Sequence, residues 1–293
     1  MQIKQLTYLA ALAREQHFGR AAAVCHVSQP TLSAGIRQLE EDLGVPVVER
    51  GRRFNGLTPE GRRVLAHGTR ILSEVEALRQ GLEEASHGLS GRLRLGVVPT
   101  ALPMVSRVTA PLYARYPKVT LSVLSQTSAE IQRGIENFEL EAGITYLDNE
   151  PLEHVRARQL YAETYVFLTA AKGPLAQRKS ITWAEAAAAP LCLLTPDMQN
   201  RRILDGVFRA AGVAPVPVME TNSILNLCTH ASAGHWSSIV PEPLLRVFGV
   251  PKGTIALPLT TPAVARSVGL IIADREPASP LARSLFELDL GKF

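Results

Sequence analysis

A change of rhythm near residue 88 divides this chain and limits what it can become. Before it, apolar residues recur every three or four positions, as they do along helices. After the hinge-like Gly88-Leu89-Ser90-Gly91 they alternate, as in "RLRLGVV", with short helical stretches between such runs. The order "RLRLGVV", "ALPMVSRVTAPLYARYP", "VTLSVLS", "SAEIQRGIENFE", "AGITYL" is strand, helix, strand, helix, strand. It predicts a parallel sheet with right-handed crossovers. A second set runs from "YVFLTA" to "WSSIVP", and "VARSVGLIIADR" with a final helix is expected to return to the first lobe. The 293 residues, 46% hydrophobic and 20% charged, suffice for two or three domains with real cores.

The head is built from short helices. Leu6, Leu9, Ala10, Ala13 and Phe18 fall on one stripe of a first helix, and Gly19 to Cys25, rich in alanine, forms a second that a neighbour can approach closely. His26-Val27 is the turn. Ser28 suits the N-cap of a third helix, and Pro30 its first turn, where a missing N–H costs nothing. Leu32, Ile36 and Leu39 make the buried stripe; Gln29, Thr31, Ser33 and Arg37 show on the other face. Two short helices and a tight turn match the DNA-binding helix-turn-helix, whose recognition helix meets base edges with its N-terminal end. An ordinary capped helix would also carry "SQPT", but residues 44–57 favour DNA. The helix stops at Gly44, Val45, Val47 and Val48 suit a strand, Arg50, Arg52 and Arg53 cluster around Gly51, and Phe54 and Leu57 return. That is a wing, with arginines for phosphates or a minor groove. Thr58-Pro59-Glu60-Gly61 then starts a helix reaching about Glu84. Its Val64, Gly68, Ile71, Val75, Leu78 and Leu82 alternate spacings of four and three, a coiled-coil seam that predicts a dimer; packing on its own domain is the alternative.

Residues 18–61, "FGRAAAVCHVSQPTLSAGIRQLEEDLGVPVVERGRRFNGLTPEG", resemble the LysR-type transcriptional regulators. The resemblance implies an α/β chain with an N-terminal winged helix-turn-helix (1–58), a long dimerising linker helix (59–89) and a two-lobed, periplasmic-binding-protein-like effector domain (90–293). Lobe I would take about 91–161 and 264–293, lobe II about 162–263. It places Gln29, Pro30, Thr31, Ser33 and Arg53 at the DNA, with Arg37, Ser28, Arg50 and Arg52 beside them. It also implies double-stranded promoter DNA, a small-molecule effector and RNA polymerase as partners, and a homodimer or homotetramer. "CHVSQPTLS" is especially similar to the peroxide-sensing branch. That branch's two sensor cysteines would fall near Gln199 and Phe208, so a disulfide switch has no chemistry to run on here.

In open α/β sheets, ligands bind beyond the carboxyl ends of strands, at helix N-termini. Those ends are polar in this chain: Thr100, Thr127 and Ser128, Tyr146, Thr195 with Met198 and Gln199, and Asn222. Each hydroxyl also has an ordinary role as a helix cap; their recurrence in both lobes is what suggests a cleft. Trp236 stands where it would narrow that cleft or fill a core gap. A small metabolic anion such as formate is the expected effector, with Arg201 and Arg202 as cations of unknown direction.

Other classes fit less well. The chain shows no nucleophile elbow, phosphate loop or acid–base pair, so no enzyme is expected. A transport receptor would leave the winged helix unexplained. The N-terminus lacks the unbroken apolar core of a secretory signal, and no apolar run is long enough for a membrane span. Cys25, Cys192 and Cys228 are too few and too scattered for a disulfide framework, which suits a cytoplasmic protein. Cys228, His230 and His235 lack metal-ligand spacing, so neither metal nor cofactor is expected. A net charge of +4 permits a nucleic-acid partner without requiring one.

Overall fold

Each of the first three helices starts and stops on a recognisable residue. α1 (Ile3–Glu15) ends on Gln16 in the left-handed conformation. α2 (Phe18–Val24) begins at His17, whose Nδ1 accepts the N–H groups of Gly19 and Arg20 at 3.0 and 3.3 Å. α3 (Gln29–Leu43) begins at Ser28, whose Oγ accepts the Thr31 N–H at 3.3 Å, and Gly44 stops it at φ 70°. Leu9, Leu12, Leu32 and Leu39 form a dry core between them. Gly35 lets the Tyr8 ring approach α3 closely: a Cβ there would stand 2.6 Å from the ring. The computed structural model describes residues 1–49 and 54–291, with nothing described for the side chains of 83–87.

Glu40 ties the next segment to α3 by accepting the N–H groups of Val47 and Val48 at 2.8 and 3.1 Å. The expected strand over Val45–Val48 shrinks to one antiparallel bridge, Val48 to Leu57, extended by the Glu49 N–H to the Gly56 carbonyl. Arg50, Arg52 and Arg53, at the tip between them, lie outside the described residues. α4 (Pro59–His87) is capped by the Thr58 hydroxyl, which accepts the Gly61 N–H at 2.9 Å. Val64 packs into the α1–α3 core. Further along, Ile71, Leu78 and Leu82 remain 39%, 64% and 67% exposed.

The chain falls into two compact units, residues 1–88 with 137–139, and residues 89–136 with 140–293. The second opens with β1 (Gly91–Val97). Pro103 has no N–H for an α-helical bond, and the helix expected over 101–117 splits into a 3₁₀ turn (Pro99–Met104) and α5 (Ser106–Arg115). β2 (Val119–Ser125), α6 (Ser128–Glu136) and β3 (Ala142–Tyr146) follow, with β2, β1 and β3 parallel as expected. β4 (Val155–Ala170) runs for 16 residues. β5 (Ile181–Thr182), α7 (Trp183–Ala187), β6 (Cys192–Leu194), α8 (Gln199–Ala210), β7 (Met219–Thr221), α9 (Ile224–Ser232), β8 (Ser238–Pro241), α10 (Glu242–Phe248) and β9 (Thr254–Thr260) form the second lobe. β10 (Ala265–Ala273) and α11 (Pro280–Glu287) return to the first.

β4 belongs to both lobes. Its first part, Val155 to Thr164, lies antiparallel to β10, which in turn pairs with β3. Its last part, Tyr165 to Ala170, lies antiparallel to β8 and β9. The sheet is therefore mixed, in the order β2-β1-β3-β10-β4-β9-β5 with β8 also on β4, and β6 and β7 make a small parallel pair beside it. Sequence reading recovers only the apolar end of β4, because in "VRARQLYAET" the alternation of Val155 and Ala157 with arginines breaks off at Gln159-Leu160. Phe167, Trp183, Phe208 and Leu270 anchor one core that spans both lobes. No helix among the described residues is long and apolar enough to cross a membrane.

Candidate functional site

Two sites carry the predicted residues. The first is the N-terminal end of α3. Ser28, Gln29, Pro30 and Thr31 are exposed there, Ser33 is half-buried, and Arg37 is exposed about two turns further along the helix. The Ser28 and Thr31 hydroxyls lie 2.8 Å apart, so the cap locks its own side chains while Gln29 and Arg37 project freely from the helix. Short side chains around this capped helix start allow close approach to a duplex backbone.

The second site lies between the lobes, where the carboxyl ends of β1 and β3 face the N-terminus of α8. Thr100, Thr127, Ser128, Tyr146, Met198 and Gln199 converge there, and Asn200 joins them. The space is small, about 10 Å³, room for roughly one water. Larger hollows lie elsewhere: one of about 790 Å³ beside α9 and α10 and one of about 380 Å³ beside Trp236. Size does not mark the site here, because the hollow beside α9 and α10 has almost wholly apolar walls, while polar groups converge at the small one.

A hydrogen-bond chain forms its floor. The Tyr146 hydroxyl donates to Glu163 Oε1 at 2.5 Å, lies 2.9 Å from Thr100 Oγ1 and accepts from Asn200 Nδ2 at 3.1 Å. Thr145 donates to Gln199 Oε1 at 3.3 Å, a second polar link between lobes. Glu163 is 0% exposed, and burial pushes its carboxyl up to about 7. Burial, with the Glu163 charge beside it, also drives the Tyr146 phenol well above its ordinary value. Asn200 Oδ1, Thr195 Oγ1 and Glu163 Oε2 are buried without a hydrogen-bond partner. The α8 N-terminus has no side-chain cap, leaving its first N–H groups open.

Other predicted residues sit differently. Thr127 caps α6: its hydroxyl accepts the Glu130 N–H at 3.2 Å while Glu130 bonds back to it. Asn222 is exposed and does not line the cleft, since Thr221 takes the turn by accepting from Ser223 and Asn226. Trp236 lies in lobe II between the rings of His230 and His235 and does not narrow the cleft. Arg201 is buried against Asp205, Glu220 and the Leu194 carbonyl. Arg202 grips Glu150 through two bonds, at 2.6 and 2.9 Å, and reaches Ser128 Oγ at 3.3 Å. It thereby joins α8 to lobe I, and the bonds to Glu150 hold the guanidinium above its ordinary range. Sequence reading missed Asn200, Glu163 and the Arg202–Glu150 pair. A lone Glu163 entering the apolar run "YVFLTA" was the one available signal. No group of three metal-ligating side chains occurs among the described residues. Gln199 and Phe208 are buried, Phe208 edge-on to Trp183.

Known proteins resemble this chain in sequence and fold. The family described as "LysR substrate binding domain" matches residues 86–289, and "Bacterial regulatory helix-turn-helix protein, lysR family" matches residues 3–62. The DNA-binding transcriptional dual regulator OxyR of Escherichia coli is 29% identical over 288 residues, covering 98% of this chain and 93% of that protein. The structure of a full-length OxyR point variant from Pseudomonas aeruginosa superposes with a TM-score of 0.78 at 25% identity, covering 99% of this chain and 96% of the other. Full-length CbnR in complex with its target DNA shares the fold, with a TM-score of 0.72 at 22% identity over 98% of each chain.

Proposed function

Since the chain belongs to the LysR family of bacterial helix-turn-helix regulators, we propose a specific division of labour within its established role of binding DNA and responding to a small-molecule effector. The effector is a small oxyanion of formate size, held, once the lobes part enough to widen a space that now takes roughly one water, between Thr100, Ser128 and Tyr146 of lobe I and Met198, Gln199 and Asn200 of lobe II. The observation that carries this reading is the uncapped N-terminus of α8, whose first N–H groups open on the cleft; Asn200, 3% exposed, leaves its Oδ1 without a partner there, so the cleft holds a buried polar group that no protein atom satisfies.

The α3 N-terminus reads base edges through Gln29 and Ser33, with Arg37 and the wing arginines on phosphates. Two copies join along the exposed Ile71, Leu78 and Leu82 stripe of α4, giving a homodimer that pairs further into a tetramer and presents two recognition helices to a two-fold promoter site. Effector binding shifts the relation of the lobes, and with it DNA bending and contact with RNA polymerase, in the cytoplasm and without catalysis. The change in DNA grip equals the effector's differential affinity for the two states.

A thermal-shift screen of the full-length protein against small carboxylates and inorganic oxyanions tests the effector reading. A ligand at 100 times its dissociation constant stabilises the folded state by about 2.7 kcal/mol. Stabilisation by formate or acetate, lost on Asn200→Leu, supports the cleft. Stabilisation solely by bulky or uncharged compounds overturns it.

A further inference from the structure

An oxyanion in this cleft meets no charged side chain among the described lining residues. The two guanidiniums of α8 are paired with carboxylates, Arg201 with Asp205 and Glu220, and Arg202 with Glu150, from where it also reaches Ser128 Oγ. Directly behind the floor stands a carboxyl instead, that of Glu163, 0% exposed and with Oε2 unpartnered.

The bonds of Tyr146 show what that carboxyl does to the floor. A phenol has one proton, and this one goes to Glu163 Oε1 at 2.5 Å. Tyr146 therefore accepts from its other two neighbours, Thr100 Oγ1 at 2.9 Å and Asn200 Nδ2 at 3.1 Å. Because the Asn200 amide spends its N–H on Tyr146, its Oδ1 is left over, buried and unpartnered. The amide thus offers an acceptor where an anion needs a donor. With a proton on Glu163 the chain reverses. The carboxylic acid donates to the Tyr146 oxygen, the phenol proton turns to Asn200, and a half-turn of the amide sets Oδ1 on Tyr146 and frees Nδ2.

Resting on the oxyanion reading of the cleft, we propose that Glu163 is the residue that sets its ligand class: it takes up one proton from solvent as the anion enters, and through Tyr146 converts the Asn200 amide from acceptor to donor. The site then binds an anion and a proton together, and a charged pair of anions never shares the interior. The other titratable groups facing Glu163 are the phenols of Tyr146 on β3 and of Tyr161 and Tyr165 on β4 itself, all held protonated by burial. Arg266, its register partner on β10, is the cation across the strand. Burial places the Glu163 carboxyl near neutrality, so the proton is exchangeable at ordinary pH.

Calorimetric titration of full-length protein with sodium formate, in two buffers of different ionisation heat at pH 6 and pH 8, tests this. Wild type is expected to take up close to one proton per formate at pH 8 and to bind about tenfold more weakly there than at pH 6. Glu163→Gln is expected to take up none and to keep its pH 6 affinity at pH 8. Equal pH dependence in the two proteins, or formate binding without proton uptake in wild type, overturns the role of Glu163 and leaves the oxyanion reading standing. No formate binding to wild type at either pH overturns both. Infrared difference spectra of wild type with isotope-labelled formate need no variant: a protonated carboxyl band that appears on binding at pH 8 supports the coupling, and its absence refutes it.

Discussion

Glu163→Gln is expected to stabilise the ligand-free protein, and by an amount that grows with pH. The folded carboxyl ionises near 7, against 4.5 for the free group. A raised acid pKa means that the stability it contributes is complete below about 4.5 and is lost as pH rises through 7. The gap of 2.5 units, at about 1.36 kcal/mol each, corresponds to roughly 3 kcal/mol of lost stability at pH 8 and under about 1 kcal/mol at pH 5. Glutamine retains the shape and the acceptor for Tyr146 and never ionises. The variant should therefore match wild type within about 1 kcal/mol at pH 5 and exceed it by roughly 3 kcal/mol at pH 8. Urea unfolding followed by tryptophan fluorescence is well suited, because Trp183 and Trp236, the chain's 2 tryptophans, both lie in the second compact unit. The signal reports that unit alone, which avoids treating a two-unit chain as one transition. A variant-minus-wild-type difference that stays flat from pH 5 to pH 8 would show that Glu163 is ionised throughout or solvated, and would refute the reasoning.

The same geometry sets other outcomes. Gly61→Ala puts a Cβ 1.9 Å from the Val47 carbonyl, a backbone atom that cannot step aside, and should cost the N-terminal unit about 1–3 kcal/mol in differential scanning calorimetry. Leu78→Asp, on the exposed stripe of α4, should shift the oligomer towards monomer in analytical ultracentrifugation, losing about 1.5–3 kcal/mol for each leucine no longer buried. Gln29→Ala should narrow the gap between operator and random DNA by ~1–3 kcal/mol in competition binding, whereas Arg37→Ala should weaken both and flatten the salt dependence. A double-mutant cycle on Arg202 and Glu150, both about a third exposed, should give a coupling of only about 0.2–1 kcal/mol in unfolding experiments.

The sequence disclosed most where local chemistry decides structure. Ser28, Pro30 and Gly44 bound α3 as their capping preferences require, and the four–three stripe of α4 follows from helical period alone. Strand-end hydroxyls pointed to the cleft because topology places such ends together. The features that stayed hidden depend on long-range partners. Asn200 is an unremarkable helix residue until Tyr146, 54 positions away, bonds to it. Arg202 read as a cation of unknown direction because Glu150, 52 positions earlier, is invisible at that distance in sequence. Asn222 and Trp236 were displaced for a similar reason: which side of a turn a residue takes is settled by neighbours such as Thr221, Asn226 and the two histidines.

The unbroken course of β4 through both lobes sets the mechanics of any response. Only two chain passages join the lobes around it, this 16-residue strand and the short segment 261–264 from β9 to β10. A pair of slack linkers would let the lobes swing like doors. A strand clamped by ladders at both ends has no free length, so one lobe turns against the other by winding or unwinding it, as a torsion rod does. Glu163 sits at the clamp point, beside Thr164, which ends the ladder to β10 just before Tyr165 begins the ladder to β8. The stroke is accordingly short, stiff and self-returning: whatever turns the rod must stay bound to keep it turned.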